Sequence, residues 1–146
     1  MVGLKRLQRR QDTAESAEKT RRTQSEIGDR VLGCALRVHK TLGPGLLESA
    51  YETCLAHDLR SAGLSVERQL TLPLVYSGIT VDTGYRIDLL VEKLVVIEVK
   101  AVEALLDLHR AQLLSYLKFG GWRLGYLLNF NVTMMRNGIS RMVLGL

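Results

Sequence analysis

Apolar residues begin to recur at helical spacing at Ile27, and Ile27, Val31, Cys34, Ala35 and Val38 share one stripe that predicts a helix ending near Leu42. Gly43-Pro44-Gly45 then breaks the chain. A second stripe, Leu47, Tyr51, Leu55 and Leu59, predicts a helix from Leu46 to about Ser61, stopped at Gly63. Beyond Gly63 the period shortens toward two. Ser65–Leu70 and Leu72–Tyr76 read as short strands interrupted at Pro73, with a turn at Ser77-Gly78. Thr83–Val91 and Leu94–Ala101 are stronger strand candidates around Glu92-Lys93. Asp107 can cap a third helix, with Leu106, Leu113, Leu114 and Leu117 apolar, running to Lys118 and ended by Gly120-Gly121. Trp122–Phe130 is an apolar strand, and Asn137-Gly138 signals a hairpin into Ile139–Leu144. The pattern predicts a mixed α/β domain over residues 26–146 without internal repeats.

The residues before it behave differently. Residues 1–25 are polar, lack aromatics and carry seven basic against three acidic side chains, so four of the five net positive charges sit there. They read as a basic leader, weakly ordered or helical, able to add salt-sensitive phosphate contacts. Two cysteines cannot build a disulfide framework or a cysteine-rich zinc site, and free thiols suit a reducing, cytoplasmic setting. No apolar run is long enough to span a membrane. Aromatics at 5% argue against a platform of exposed rings for stacking single-stranded bases. The small size suits a homodimer or a protein partner.

Three local patterns carry chemistry. In the strand around Ile97, Val95, Ile97 and Val99 alternate with Val96, Glu98 and Lys100, so Glu98 and Lys100 share a face. With Asp88 ten residues earlier, two carboxylates offer hard oxygen donors suited to Mg²⁺ or Mn²⁺. A lysine beside them could hold an attacking water or stabilise charge at phosphorus. The pairing has a geometric condition. A two-residue turn at Glu92-Lys93 would set Asp88 opposite Ile97 and put the acids on opposite faces, whereas a three-residue turn or a bulge restores a shared face. Glu48 stands in the first turn of its helix, where the macrodipole favours a carboxylate, and it could also join the acid pair. Glu48, Asp88, Glu98 and Lys100 are then expected around one pocket. His109, Gln112 and Tyr116 share a face of the third helix, either as a satisfied polar face or as groups that bind the scissile phosphate or orient water. His39 and His57 read as helix-surface residues.

Gly45-x-x-Glu48-x-x-Tyr51, Tyr85-Arg86-Ile87-Asp88-Leu89-Leu90, Ile97-Glu98-Val99-Lys100-Ala101 and His109-x-x-Gln112-x-x-x-Tyr116-Leu117 together resemble the small GxxExxY proteins, over about residues 26–146. That family is placed in the PD-(D/E)XK nuclease superfamily. The resemblance implies a restriction-endonuclease-like core, a mixed central sheet flanked by helices, and Mg²⁺-dependent cleavage of nucleic acid, with DNA the expected substrate. It places Asp88 and Glu98, with the Val99 carbonyl, at the metal, Lys100 at the water and Glu48 as the extra helix acid. Gln112 and Tyr116 match the Gln-x-x-x-Tyr motif of the RecB-like branch, with Tyr51 and His109 in support. Ile87 stands where the motif nominally has proline. A nuclease-fold module that binds nucleic acid or a protein without cleaving is the alternative.

Overall fold

A computed structural model describes residues 2–82 and 84–145. Met1 of the leader, Thr83 at the head of the expected strand 83–91, and Leu146 lie outside the described residues. The leader and the first predicted helix are one element, α1, spanning Val2–Leu42. Of the two alternatives for the leader, weakly ordered or helical, residues 2–25 take the helical one. Its side chains are mostly good helix formers, and no proline interrupts them. Arg21 pairs with Glu18 one turn back at 3.0 Å, and Thr13, Thr20 and Thr23 each return their hydroxyl to the carbonyl four residues before. The apolar stripe begins only near Ile27, so residues 2–20 stay almost wholly exposed.

After α1 come α2 (Glu48–Ser61), β1 (Val66–Thr71), β2 (Leu74–Tyr76), β3 (Ile79–Val81), β4 (Arg86–Val91), β5 (Val95–Lys100), α3 (Asp107–Gly120), β6 (Leu124–Asn129) and β7 (Ile139–Val143). β3 escapes the sequence reading, because three residues after a turn are too short to show a period. It pairs with β2 as a separate two-stranded ribbon. The main sheet runs β1-β4-β5-β6-β7. Its one parallel pair, β5 with β6, is joined by α3 as a crossover, and the other neighbours are antiparallel. α1 and α2 cover one face through Val31, Val38, Leu55 and Leu59 against Val95, Ile97 and Leu128. α3 covers the other through Leu113 and Leu117 against Val96 and Leu127. β5, central and covered on both sides, is therefore more deeply buried than its Glu–Lys decoration suggested. No helix among the described residues is long and apolar enough to cross a membrane.

Three local expectations change. Asn137-Gly138 does not form a two-residue hairpin: it closes a short 3₁₀ turn, Met135–Gly138, within a longer link from β6 to β7. Asp107 is the first residue of α3 rather than its cap; the cap is Leu106, whose N–H donates to His109 Nδ1 at 3.0 Å. His39 is buried, with Nε2 2.7 Å from the Val132 carbonyl, and ties α1 to that link.

Candidate active site

The turn between β4 and β5 decides where the acids point. Glu92 and Lys93 both adopt left-handed backbone, φ +52° and +56°, and Leu94 N–H closes the turn on the Val91 carbonyl at 3.0 Å. Glu92 is held there by Ser65, whose carbonyl accepts its N–H at 2.9 Å and whose hydroxyl donates to Oε2 at 3.1 Å. Leu94 is the extra residue. Val91 pairs with Val95 and Leu89 with Ile97, so the same register sets Asp88 against Glu98.

At that point the regular ladder stops and the carboxylates replace it. Val99 N–H donates to Asp88 Oδ2 at 2.8 Å, and Asp88 N–H donates to Glu98 Oε1 at 3.1 Å. Each acid thus satisfies a backbone donor that the parting strands leave without a carbonyl. Burial, reinforced by the neighbouring Asp88 charge, pushes the Glu98 carboxyl up to about 8. Burial also raises Asp88, against the Val99 N–H that favours its charged form. Lys100 lowers both as a nearby cation, although among the described residues no carboxylate lies within 4.0 Å of its ammonium.

A cleft of about 270 Å³ opens between α2 and these strands, lined by Glu48, Ser49, Glu52, Gln69, Asp88 and Val99. Glu48, the first residue of α2, accepts the Ala101 N–H at 3.2 Å, just past the end of β5. Its position depends on Tyr51, which is fully buried and stacks on Phe130 with ring centroids 4.6 Å apart. The Tyr51 hydroxyl donates to the Gly43 carbonyl at 2.6 Å and accepts the Leu46 N–H at 3.1 Å. The Gly43-Pro44-Gly45 bend so fastened needs φ of +68° and +100° at its two glycines, which other residues rarely adopt.

Glu52 and Gln69 were not foreseen. Gln69 Nε2 donates to Glu52 Oε1 at 2.6 Å and to Asp88 Oδ1 at 3.2 Å, while Arg68 donates to Glu52 Oε2 at 2.9 Å. The spacing of Glu48 and Glu52, one helical turn apart, was the available signal for the first. The left-handed φ of +51° at Gln69 left none for the second.

The structure divides the remaining residues. Tyr116 is buried beside Glu98, and burial together with that acid raises its hydroxyl to about 12. His109, Gln112 and Tyr116 also line a separate, largely apolar groove of about 430 Å³ against Leu72, Tyr85 and Phe119. Glu98 and Lys100 line neither this groove nor the Glu48–Asp88 cleft, so the four residues expected around one pocket are not all gathered at one.

The oxygen donors of Asp88, Glu98, Glu48 and the Val99 carbonyl fit a hard divalent cation in chemistry. Among the described residues, no three His, Cys, Asp or Glu side chains gather tightly enough to hold one as they stand. No curated protein and no solved structure matches the chain. A family model does, that of the PD-(D/E)XK nuclease superfamily, over residues 25–142. This span holds Glu48, Asp88, Glu98 and Lys100 and nearly all of the five-stranded mixed sheet, whose flanking helices make the fold restriction-endonuclease-like. On that match the chain belongs to the PD-(D/E)XK nuclease superfamily.

Proposed function

We propose that this protein is a nuclease of the GxxExxY kind, hydrolysing DNA phosphodiesters with Mg²⁺ or Mn²⁺, its nuclease unit being residues 26–146. One observation carries the reading: the three-residue turn sets Asp88 against Glu98, and Lys100 follows on the Glu98 face. Asp88, Glu98 and the Val99 carbonyl would hold the ion, with Glu48 as a further acid. A bound divalent ion supplies Lewis acidity and a more acidic water. Lys100 orients the attacking water and stabilises negative charge at the phosphoryl oxygens. Tyr116, with its hydroxyl raised to about 12, stays protonated at neutral pH and serves as a donor rather than a base. Gln112 and His109 support the substrate beside it, and Tyr51 fixes the loop that delivers Glu48. Unpaired Cys34 and Cys54 suit a cytoplasmic setting.

A second reading, a module that binds nucleic acid or a protein without cleaving, draws on a different observation. Asp88 and Glu98 complete the sheet's hydrogen bonding as they stand, a role that needs no catalysis. Incubation with supercoiled plasmid separates the two. The parent is expected to nick it in Mg²⁺ or Mn²⁺ and to stop on chelation, and Lys100→Ala is expected to slow the reaction about 10²–10³-fold. The ion should also raise the melting temperature of the parent but not of Glu98→Gln. No cleavage, with equal melting shifts in all three proteins, assigns the chain to the binding module.

A further inference from the structure

At the β7 edge of the sheet, strands away from Asp88, three arginines converge. Arg21 of α1, Arg123 before β6 and Arg141 of β7 surround a small pocket of about 80 Å³, together with Gln24 and Ser25. The register fixes its place. Leu124 pairs with Val95, whereas Leu127 pairs with Glu98, so the pocket's Leu124 lies ~10 Å along the strands from the acids at ~3.3 Å per residue.

Three guanidiniums around so small a space repel one another unless anions answer them. Arg21 is answered by Glu18 at 3.0 Å. Among the described residues, no carboxylate lies within 4.0 Å of Arg123 or Arg141. Gln24 points the same way: it is only 7% exposed, lines the pocket, and its amide has no hydrogen-bond partner among the described residues. Its amide atoms are therefore solvent-accessible rather than buried, and its N–H groups are free to donate to an anion in the pocket. Forked guanidiniums with an added N–H match the oxygens of a phosphate.

We infer that this pocket is a second phosphate site, gripping the backbone of nucleic acid away from the cleavage site. The inference rests on the nucleic-acid reading above for the identity of the partner. A polyanion fits better than a single phosphate because the cations continue beyond the pocket. Lys5, Arg6, Arg9 and Arg10 lie on the same helix as Arg21. At ~100° per residue they fall within an arc of roughly 140°. The leader therefore extends one positive track ~24 Å past the pocket, from Arg21 to Lys5, at ~1.5 Å per residue. Its far position makes it a holding contact, able to keep the substrate bound whatever occupies the carboxylates.

Arg123→Ala/Arg141→Ala is the test variant, since both side chains are exposed and the melting temperature checks the fold. Binding of a fluorescein-labelled 30-base-pair duplex, without divalent ions, is followed by anisotropy from 50 to 200 mM salt. The slope of log affinity against log salt is expected to flatten by about 1.8, at ~0.9 per lost phosphate contact. Inorganic phosphate at millimolar concentration should compete poorly; strong competition would mean a site for free phosphate and would overturn the polyanion assignment. An unchanged slope in the double variant, or no binding by the parent, overturns the site. If the slope is unchanged while plasmid nicking persists, only this inference fails. A flattened slope in a protein that never cleaves keeps the site and removes the nuclease reading.

Discussion

In metal-free buffer at pH 9, Glu98→Gln is expected to be more stable than the parent by about 3–5 kcal/mol, at ~1.4 kcal/mol per unit of pKa, because Glu98 rises from 4.5 to about 8 on folding. A carboxyl raised in the folded state binds its proton more tightly there than in the unfolded chain. Parental stability is therefore intact below about 4.5, falls as pH climbs toward 8, and levels off beyond. Asp88 shifts in the same direction. The glutamine carbonyl can still accept the Asp88 N–H, so the variant keeps the contact and loses the buried charge. Asp88→Asn should gain nothing comparable. Its two oxygens accept from Val99 N–H and from Gln69 Nε2, and an amide can supply only one acceptor. Urea unfolding at pH 5 and pH 9 reads the effect. A parent that does not weaken relative to Glu98→Gln between the two would show that Glu98 is not a strained buried acid.

Tyr51→Ala is expected to cost about 3–5 kcal/mol, the range for removing a fully buried aromatic ring, since Tyr51 is 0% exposed and stacked on Phe130. Tyr51→Phe keeps the ring but leaves the Gly43 carbonyl and Leu46 N–H without their partner, a loss of about 1–3 kcal/mol. The phenylalanine variant is the more informative one, because it loosens the bend carrying Glu48 while sparing the core. It should weaken the metal-induced melting shift more than its own stability loss explains. A normal shift with a lowered baseline would confine Tyr51 to packing.

How far these features were readable depends on the range over which each is determined. Val95 to Lys100 alternates cleanly, so the faces of Glu98 and Lys100 followed from pleating alone. The pairing with Asp88 did not, because it hangs on one residue of turn length. Glu92 and Lys93 adopt left-handed φ without a glycine or asparagine to announce it, held by contacts to Ser65 in another segment. Burial of His39 and the bond from Gln69 to Asp88 likewise arise from residues 93 and 19 positions apart in the chain. The low aromatic content gave no hint that Tyr85, Tyr116 and Phe119 would line one groove. For the leader, the choice between weak order and helix was open for another reason. Its polar composition carries no apolar period, yet helix formation requires none once an adjoining segment is already helical.

The continuity of α1 from leader to core has a thermodynamic consequence. Starting a helix in water is the unfavourable step, with an initiation constant of roughly 10⁻³, while each further residue adds a hydrogen bond at little net cost. The buried stripe from Ile27 to Val38 in α1 is fixed by the core, so it acts as a permanent nucleus for the residues before it. The leader can lengthen or unwind residue by residue without disturbing the sheet. Warming should accordingly bring a gradual loss of ellipticity at 222 nm, graded rather than cooperative, ahead of the sharp global transition. A polyanion laid along the track would stiffen the same residues and delay that loss. The reach of the arm is thus a quantity that temperature, salt and ligand adjust continuously.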